Sequence, residues 1–251
     1  MIELKDFTAF YGDRTLLSGV NAVFRAGRLT ALLGRNGTGK STLLRAMAGL
    51  NPYYSGTIEV GNRRLTGLHA GELARTLAFV NTERVRVANL RCRDVVAMGR
   101  APYTDWIGRL RPADRAKVAE ALEAVGMEAY AGRTLDTMSD GECQRIMIAR
   151  ALAQATPVIL LDEPTSFLDL PNRYELCSLL ADLAHSHGKC IVFSTHELDI
   201  ALALGDDIAL IDPPGLHCLP VDEMRGSGYI ETLFSNDGFV FDAVAGRIIR
   251  K

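Results

Sequence analysis

Several features that would assign a protein to a special class are missing from this sequence. The 251 residues carry 28 Lys and Arg against 30 Asp and Glu, a net charge of -2, so the broad basic field that attracts nucleic acid is absent. No apolar run approaches the roughly 18 residues that cross a bilayer, and residues 1–5 alternate like a strand instead of forming a signal peptide's apolar core. We therefore expect no nucleic-acid partner, and any membrane span must come from another chain.

Cysteine and histidine are few and lack the spacing of disulfide frameworks or metal sites. The five cysteines contain no C-x-x-C pair, and their odd number argues against a complete disulfide framework. The five histidines show no metal-ligand spacing. These patterns favour reduced thiols in a cytoplasmic protein.

The sequence does contain a glycine-rich segment at residues 34–42. This segment follows the apolar run 29–33 and precedes residues 43–48, which resemble a helix, so it has the strand–loop–helix order of a P-loop. Glycines let the backbone curl around a polyphosphate, so that N–H groups and the helix N-terminus point at its oxygens. Lys40 would contact the β- and γ-phosphates, and the Ser41 hydroxyl would ligate Mg²⁺. The predicted nucleotide contacts are Gly34, Arg35, Asn36, Gly37, Thr38, Gly39, Lys40, Ser41 and Thr42.

Apolar strands alternate with helices along most of the chain. Strands are predicted at 2–7, 20–24, 29–33, 57–60, 77–80, 158–161, 190–193 and 208–211, and helices at 91–99, 113–125, 141–154, 171–187 and 198–204. After a short helix from residue 229, a two-stranded edge is predicted within 238–249. Uniformly apolar strands of this kind indicate a parallel sheet covered on both faces, hence an α/β fold. We expect one domain, 1–251, with a core of residues 1–84 and 151–251 and a helical subdomain of residues 85–150.

The strand at 158–161 ends in Asp162 and Glu163. A buried strand would hold Asp162 rigidly beside the P-loop, where such NTPases direct a carboxylate at Mg²⁺. Glu163 is then placed to orient or deprotonate the attacking water. The alternative is a strand whose last residues happen to be acidic, and the P-loop upstream favours the catalytic interpretation.

Residues 138–145, Met-Ser-Asp-Gly-Glu-Cys-Gln-Arg, predict a second anion site. A helix that starts at Ser139 with Gly141 in its first turn offers free N–H groups and the positive end of its dipole. Taken alone, Ser-x-Gly-Glu is only a good helix N-cap. One active site does not need two such sites on separate elements, unless the second serves another subunit.

In combination, these segments resemble the ATP-binding subunit of an ABC transporter, and the resemblance covers nearly the whole chain. Residues 34–42 match the Walker A motif, and residues 160–163 match the Walker B motif. Residues 139–144 match a variant of the family's signature motif, and residues 166–169 match its D-loop. Thr195-His196 matches the switch histidine, and Tyr11 matches the aromatic residue that stacks on adenine. The resemblance implies a RecA-like P-loop NTPase fold: a parallel sheet core, an N-terminal antiparallel β subdomain and an inserted α-helical subdomain. It also implies hydrolysis of ATP with Mg²⁺.

The resemblance further implies a head-to-tail homodimer, in which each ATP lies between one P-loop and the partner's signature helix. Glu163 and His196 would be the catalytic residues, and Ser41 and Asp162 the metal ligands. Besides the P-loop, the nucleotide contacts would come from Tyr11, Ser139, Gly141, Glu142 and Asp169. Hydrolysis would open the dimer and change the facing of membrane permease subunits. The chain would then be peripheral, on the cytoplasmic face of the inner membrane, with a substrate-binding protein as an indirect partner.

One position departs from the family's pattern. The family places a glutamine after the strand at 77–80, near Mg²⁺ and the attacking water, whereas this chain continues Asn81-Thr82-Glu83. Thr82 is the aligned residue, and its hydroxyl is predicted to reach the metal, directly or through water.

A subfamily is suggested by residues 90–103, a helix ending in Gly99-Arg100-x-Pro102-Tyr103. This ending is similar to the corresponding segment of ATPases that energise the import of ferric siderophores, haem or cobalamin. The alternatives are a zinc or manganese importer and a soluble ATPase of iron–sulfur assembly. We expect the permease to dock on residues 84–106, where Arg84, Arg86, Arg91, Arg93 and Arg100 accompany the aromatic residues Tyr103 and Trp106. The competing interpretation is a solvated arginine face with its aromatics packed on the helical insert.

Overall fold

The computed structural model describes residues 1–82, 88–235 and 238–251. Its strands are β1 (Ile2–Tyr11), β2 (Arg14–Phe24), β3 (Arg28–Leu33), β4 (Tyr54–Val60), β5 (Arg63–Arg64), β6 (Leu77–Val80), β7 (Val158–Leu161), β8 (Cys190–Thr195), β9 (Asp207–Asp212), β10 (Gly215–Pro220), β11 (Phe239–Asp242) and β12 (Arg247–Arg250). Its helices are α1 (Lys40–Met47), α2 (Ala70–Thr76), α3 (Cys92–Ala97), α4 (Pro112–Ala124), α5 (Asp140–Ala153), α6 (Leu170–His187), α7 (Leu198–Leu204), α8 (Val221–Gly226) and α9 (Tyr229–Phe234). In the described ranges, no helix is long and apolar enough to span a bilayer.

The first sheet is antiparallel, with strand order β2-β1-β4-β5. Alternate residues of β1 are buried, as expected for a sheet with one face against the core. The first two strands are longer than predicted and meet at a turn of only two residues, Gly12 and Asp13. Tyr11 is consequently the last residue of β1 and directly precedes the turn.

The second sheet forms the core, with strand order β10-β9-β3-β8-β7-β6. Strands β6, β7, β8, β3 and β9 run parallel, and β10 pairs antiparallel with β9 at one edge. The carboxyl ends of β3, β7 and β8 therefore lie side by side, which is where ligands bind in open α/β sheets.

Both faces of the parallel sheet are buried, which explains its uniformly apolar strands. One face packs on α1 and the antiparallel sheet, and the other packs on α5, α6, α7 and the helices that precede α5. In β7, Val158 and Leu160 belong to the first face, whereas Ile159 and Leu161 belong to the second. The predicted α/β fold class is confirmed.

The described part of the segment between β6 and β7 contains α3, α4 and α5, joined by turns and loops. The helix predicted at 91–99 is shorter, because α3 ends at Ala97 and the chain continues as a tighter 3-10 turn, Met98–Tyr103. Helix α5 begins at Asp140 and ends at Ala153. Its apolar side chains join the same core as one face of the parallel sheet. The division into residues 1–84, 85–150 and 151–251 stays a prediction, and its first boundary falls outside the described residues.

Four elements were not predicted from the sequence, namely α2, β5, β10 and α8. Strand β10 carries His217, whose ring stacks on Tyr229 of α9 with centroids 3.7 Å apart. A short run of mixed polarity such as 215–220 gives little strand signal, because pairing with β9 rather than its own pattern holds it in place. The predicted helix near residue 229 and the C-terminal strand pair are present as α9, β11 and β12.

Candidate functional site

The glycine-rich loop connects β3 to α1 and is shaped by positions where glycine is required. Gly39 has φ +105° and directly precedes α1 as its N-cap. A Cβ added at Gly34 would lie 2.8 Å from the Thr38 hydroxyl and 3.3 Å from the Ile211 side chain. The Thr38 hydroxyl donates to the Arg35 carbonyl at 2.9 Å and fixes the loop's curl. The first turn of α1 follows this loop, and the N–H groups of a helix's first turn have no partner within the helix and can bind an anion.

Lys40 fills the centre of this loop. Its Nζ donates to the carbonyl oxygens of Gly34 at 2.9 Å and Arg35 at 3.3 Å, and lies 3.8 Å from Oε1 of Glu163. Burial lowers the pKa of the Lys40 ammonium, and the nearby carboxylates of Glu163 and Asp162 oppose that shift. The loop therefore holds a desolvated cation where a polyphosphate would enter.

Asp162 immediately follows β7 and is 2% exposed. Its N–H donates to the Val80 carbonyl at 2.8 Å, so the pairing of β6 with β7 continues to this residue. Its Oδ1 accepts hydrogen bonds from the hydroxyls of Ser41 at 2.9 Å and Ser194 at 2.8 Å. The structure thus brings the two predicted metal ligands, Ser41 and Asp162, into direct contact.

These oxygen donors fit Mg²⁺. Among the described residues, no group of three His, Cys, Asp or Glu side chains could form a protein-only metal cage. Mg²⁺ commonly uses one or two protein oxygens and takes its remaining ligands from substrate phosphates and water. Ser41 and Asp162, beside a phosphate-binding loop, are a donor set of that kind.

Glu163 lies between the loop and the end of β8. Its Oε1 is 3.8 Å from Nδ1 of His196 as well as 3.8 Å from Lys40, and its Oε2 accepts from the Ser166 hydroxyl at 3.2 Å. Its backbone has φ +45°, a left-handed conformation that is uncommon outside glycine. The carboxylate is partly exposed at the cleft, where it can accept a proton from water.

Thr82 also reaches this cluster. Its hydroxyl donates to the main-chain carbonyl of Asp162 at 2.9 Å. Thr82, the residue aligned with the family's glutamine, is therefore hydrogen-bonded to the predicted metal ligand Asp162. The bond goes to the Asp162 main chain and not to its carboxylate. The following residue, Glu83, lies outside the described part of the chain.

The P-loop forms one wall of an open cavity of about 510 Å³. Tyr11, with 75% of its surface exposed, stands at its edge, where its ring is available for stacking on a base. Sequence reasoning missed two lining residues, Arg14 and Leu16, because they lie in a strand without a motif. The cavity is lined by Tyr11, Arg14, Leu16, Asn36, Gly37, Gly39, Lys40, Ser41, Thr42 and Glu163.

Ser139, Gly141 and Glu142 form the N-terminus of α5 and are not among the residues lining that cavity. Ser139 caps the helix: its Oγ accepts from the Glu142 N–H at 3.3 Å, while Oε2 of Glu142 accepts from the Ser139 N–H at 2.8 Å and from its hydroxyl at 2.9 Å. The Ser139 N–H is the main cause that lowers the pKa of the Glu142 carboxyl group. A Cβ on Gly141 would lie 3.2 Å from Leu168, so this turn packs closely on the 166–169 segment.

Asp169 caps α6 by accepting from the N–H and the amide side chain of Asn172, at 3.2 and 2.6 Å. One turn later, Arg173 joins this segment to the switch histidine. Its guanidinium donates to the Leu168 carbonyl at 2.7 Å and pairs at 3.0 Å with Glu197, next to His196. The sequence carried no motif signal for Arg173 or for Ser194.

The comparisons with known proteins agree with this geometry. The model of the ABC transporter family matches residues 17–166. An uncharacterised ABC transporter ATP-binding protein of Methanocaldococcus jannaschii is 40% identical over 211 residues, 84% of this chain and 73% of the relative. The achromobactin transport ATP-binding protein of Dickeya dadantii is 33% identical over 210 residues, covering 84% and 78%.

Solved structures show the same similarity. A structure described as a metal-chelate type ABC transporter in an inward-facing conformation superposes with a TM-score of 0.81 at 29% identity, over 93% of this chain and 88% of that one. A dimeric ATP-binding cassette in a post-hydrolysis state, bound to ADP and phosphate, gives a TM-score of 0.74 at 27% identity, over 88% and 99%. With a phosphate-binding loop, a buried aspartate at the Ser41 hydroxyl and a glutamate at the cleft, this chain belongs to the ABC transporter family as an ATP-binding cassette and is an ATPase.

Proposed function

We propose that this chain is the nucleotide-binding subunit of an ABC importer and works as a head-to-tail homodimer around two ATP molecules. The observation that supports this proposal is that the two predicted phosphate-binding elements do not share a cavity. The P-loop and its acids form one cleft, while the capped N-terminus of α5 lies apart from it. A second copy, turned by a two-fold axis, brings each α5 N-terminus to the other copy's cleft. The dimeric relative bound to ADP and phosphate supports this arrangement.

In this dimer each group has a distinct task. The P-loop amides and Lys40 bind the phosphates, Tyr11 stacks on the base, and Glu163 accepts a proton from the attacking water. Ser41 and Asp162 would hold Mg²⁺, which would supply positive charge against the phosphates. ATP replaces the Lys40–Glu163 ion pair of 3.8 Å with a Lys40–phosphate contact, which frees Glu163 for water.

The proposed cargo is an iron–siderophore, haem or cobalamin-type compound that crosses through a separate permease, with a substrate-binding protein as an indirect partner. Support comes from the similarity to the achromobactin transport ATP-binding protein and to the metal-chelate type transporter structure. A zinc or manganese importer and a soluble ATPase of iron–sulfur assembly are the alternatives. In this proposal the chain is held at the cytoplasmic face of the inner membrane by its permease.

The permease is proposed to dock on the exposed part of residues 88–106. Arg91, Arg93 and Trp106 are exposed, and Trp106 retains 93% of its surface. Arg100 does not belong to this surface, because it is buried against Asp114. Tyr103 is partly buried, with its ring 3.9 Å from the Arg100 guanidinium. The other two arginines of the predicted surface, Arg84 and Arg86, lie outside the described residues.

The dimer is tested with Glu163→Gln, which keeps the fold but removes the proton acceptor. Loss of such a transition-state interaction lowers turnover by about 10²- to 10³-fold, so ATP should hold the variant in a closed dimer. Size-exclusion chromatography should show a dimer with ATP and a monomer with ADP. Lys40→Ala in the same background is the control, because it should abolish the ATP-dependent shift. A monomer at saturating ATP would refute the head-to-tail dimer.

Docking is tested by reversing charge at Arg91 and Arg93 together. We expect unchanged ATP hydrolysis by the isolated chain and lost co-purification with the permease from detergent. Charge reversal at Arg109, which is also exposed but lies outside the proposed surface, is the matched control. If assembly and transport survive the double reversal, this surface does not carry the permease.

A further inference from the structure

Ser194 of β8 is buried at a position where the strand's pattern predicts an apolar residue. Side chains two residues apart in a strand share a face, and Cys190 and Val192 both pack into the core behind α1. Ser194 follows them on that face with no exposed surface. A hydroxyl in such a place is destabilising unless the protein satisfies its hydrogen bonds.

The partners of Ser194 are the two acidic residues of the active site. Its Oγ accepts a hydrogen bond from the Glu163 N–H at 2.8 Å and donates one to Oδ1 of Asp162 at 2.8 Å. One hydroxyl is thus hydrogen-bonded to both residues that follow β7. Ser194 is absent from the cavity lining and has no exposed surface from which to touch a nucleotide.

We propose that Ser194 is a positioning residue for ATP hydrolysis, which holds Asp162 and Glu163 in their working orientations from behind the site. Asp162 is anchored at Oδ1 by two hydroxyls, from Ser41 in front and Ser194 behind, so the plane of its carboxylate is fixed. Ser41 and Asp162 would together hold Mg²⁺, and the Ser194 hydroxyl would then be the remaining anchor of Oδ1.

The contact with Glu163 acts on the backbone. Glu163 has φ +45°, which a residue with a Cβ rarely adopts, and its N–H points at the Ser194 oxygen in that conformation. On the other side, the Ser166 hydroxyl donates to the Glu163 carbonyl at 2.9 Å. These two bonds hold the turn that directs the Glu163 carboxylate into the cleft.

The competing explanation is that Ser194 is only a satisfied core hydroxyl. Thr156 offers a matched control, because it too has no exposed surface and its hydroxyl donates to the Val158 carbonyl at 2.8 Å. Thr156 precedes β7 at the opposite end from the acids. Thr156→Val therefore removes a hydroxyl that is as buried as that of Ser194, but at a position away from the site.

The experiment compares Ser194→Ala with Thr156→Val in steady-state hydrolysis, thermal unfolding and ATP binding in the presence of EDTA. For Ser194→Ala we expect kcat to fall by about 10- to 100-fold, the size typical of groups that orient a catalytic ligand. KM and metal-free ATP binding should change by less than about threefold, because the P-loop contacts are intact. Thr156→Val should lower the melting temperature by a similar amount and keep its kcat.

Two results would overturn the proposal. One is a Ser194→Ala variant that keeps wild-type kcat while losing the same stability as Thr156→Val. The other is a loss of metal-free ATP binding as large as the loss of kcat, since the defect would then lie in the P-loop. If Ser194→Ala does not fold, Ser194→Cys replaces it, because cysteine is closer to serine in volume and its thiol is a weaker hydrogen-bond donor. A fall in kcat without an equal loss of metal-free ATP binding would then support the proposal.

Discussion

Gly99 is the residue at which the structure makes its sharpest stability prediction. This glycine belongs to the Met98–Tyr103 turn, and a Cβ added there would overlap the carbonyl oxygen of Arg150 in α5 and lie 3.2 Å from the Gln154 nitrogen. Both obstructing atoms are backbone atoms of a packed helix, so neither can turn aside. Gly99→Ala must push the turn away from α5.

The expected cost follows from that displacement. Forced overpacking of a core typically costs 1–3 kcal/mol, and separation of the turn from α5 also weakens neighbouring bonds, so about 3 kcal/mol is expected. For a chain of this size, 1 kcal/mol corresponds to about 2–4 °C, which predicts a melting temperature lower by about 6–12 °C. Thermal unfolding followed by circular dichroism measures the change.

Gly71 provides the matched control. It lies in α2 with no heavy atom within 4 Å of an added Cβ. Gly71→Ala should therefore stabilise the chain by about 0.5–1 kcal/mol, because alanine loses less conformational freedom than glycine in a helix. A Gly99→Ala variant that melts within about 2 °C of wild type would refute the close packing of the turn on α5.

Three further predictions follow from the site and its supports. Thr82→Ala should weaken magnesium-dependent hydrolysis more than ATP binding, whereas Thr82→Gln should be tolerated; wild-type turnover of Thr82→Ala across a magnesium titration would refute this. Glu142→Gln should lower the ATP concentration for half-maximal dimerisation about fivefold. The Ser139 hydroxyl would then donate to a neutral acceptor instead of a charged one, and this weaker bond costs about 1 kcal/mol less to break when the hydroxyl turns to the partner's ATP. An unchanged midpoint would contradict this prediction. The N–H of Arg111 and then the Arg100 guanidinium lower the pKa of Asp114 below its ordinary 3.8. The ionised carboxylate therefore stabilises the folded protein fully above pH 3.8, and this stabilisation is lost as the pH falls through the lower pKa of the folded state. The melting temperatures of wild type and Asp114→Asn should therefore converge in acid, and a gap that is constant with pH would disprove the linkage.

The sequence was most informative where chemistry requires a fixed order of residue types. A P-loop must place glycines, lysine and serine between a strand and a helix, and the structure has that order at β3 and α1. The apolar run before Asp162 predicted a central strand, because burial on both faces requires it. The cap at Ser139 was equally local, since a helix N-terminus is satisfied by the residues beside it.

The features that escaped prediction depend on partners distant in sequence. Arg100 was predicted to face a permease, yet it donates to the Ala153 carbonyl at 2.7 Å, 53 residues away, and packs under Tyr103. Composition shows that an arginine is present, but packing alone decides whether it points inward. Ser194 is a further example, because a serine near a strand end has no signature until the strand is placed beside Asp162.

The left-handed backbone at Glu163 has a consequence for how this cassette can be improved or evolve. A non-glycine residue held at such a φ typically stores about 1–3 kcal/mol of strain, which glycine in its place would release. At this position the requirement for thermal stability and the requirement for a proton acceptor therefore oppose each other. A library selected only for heat resistance should drift towards residues that relax this turn, and its best-folded members would be those that no longer hydrolyse ATP.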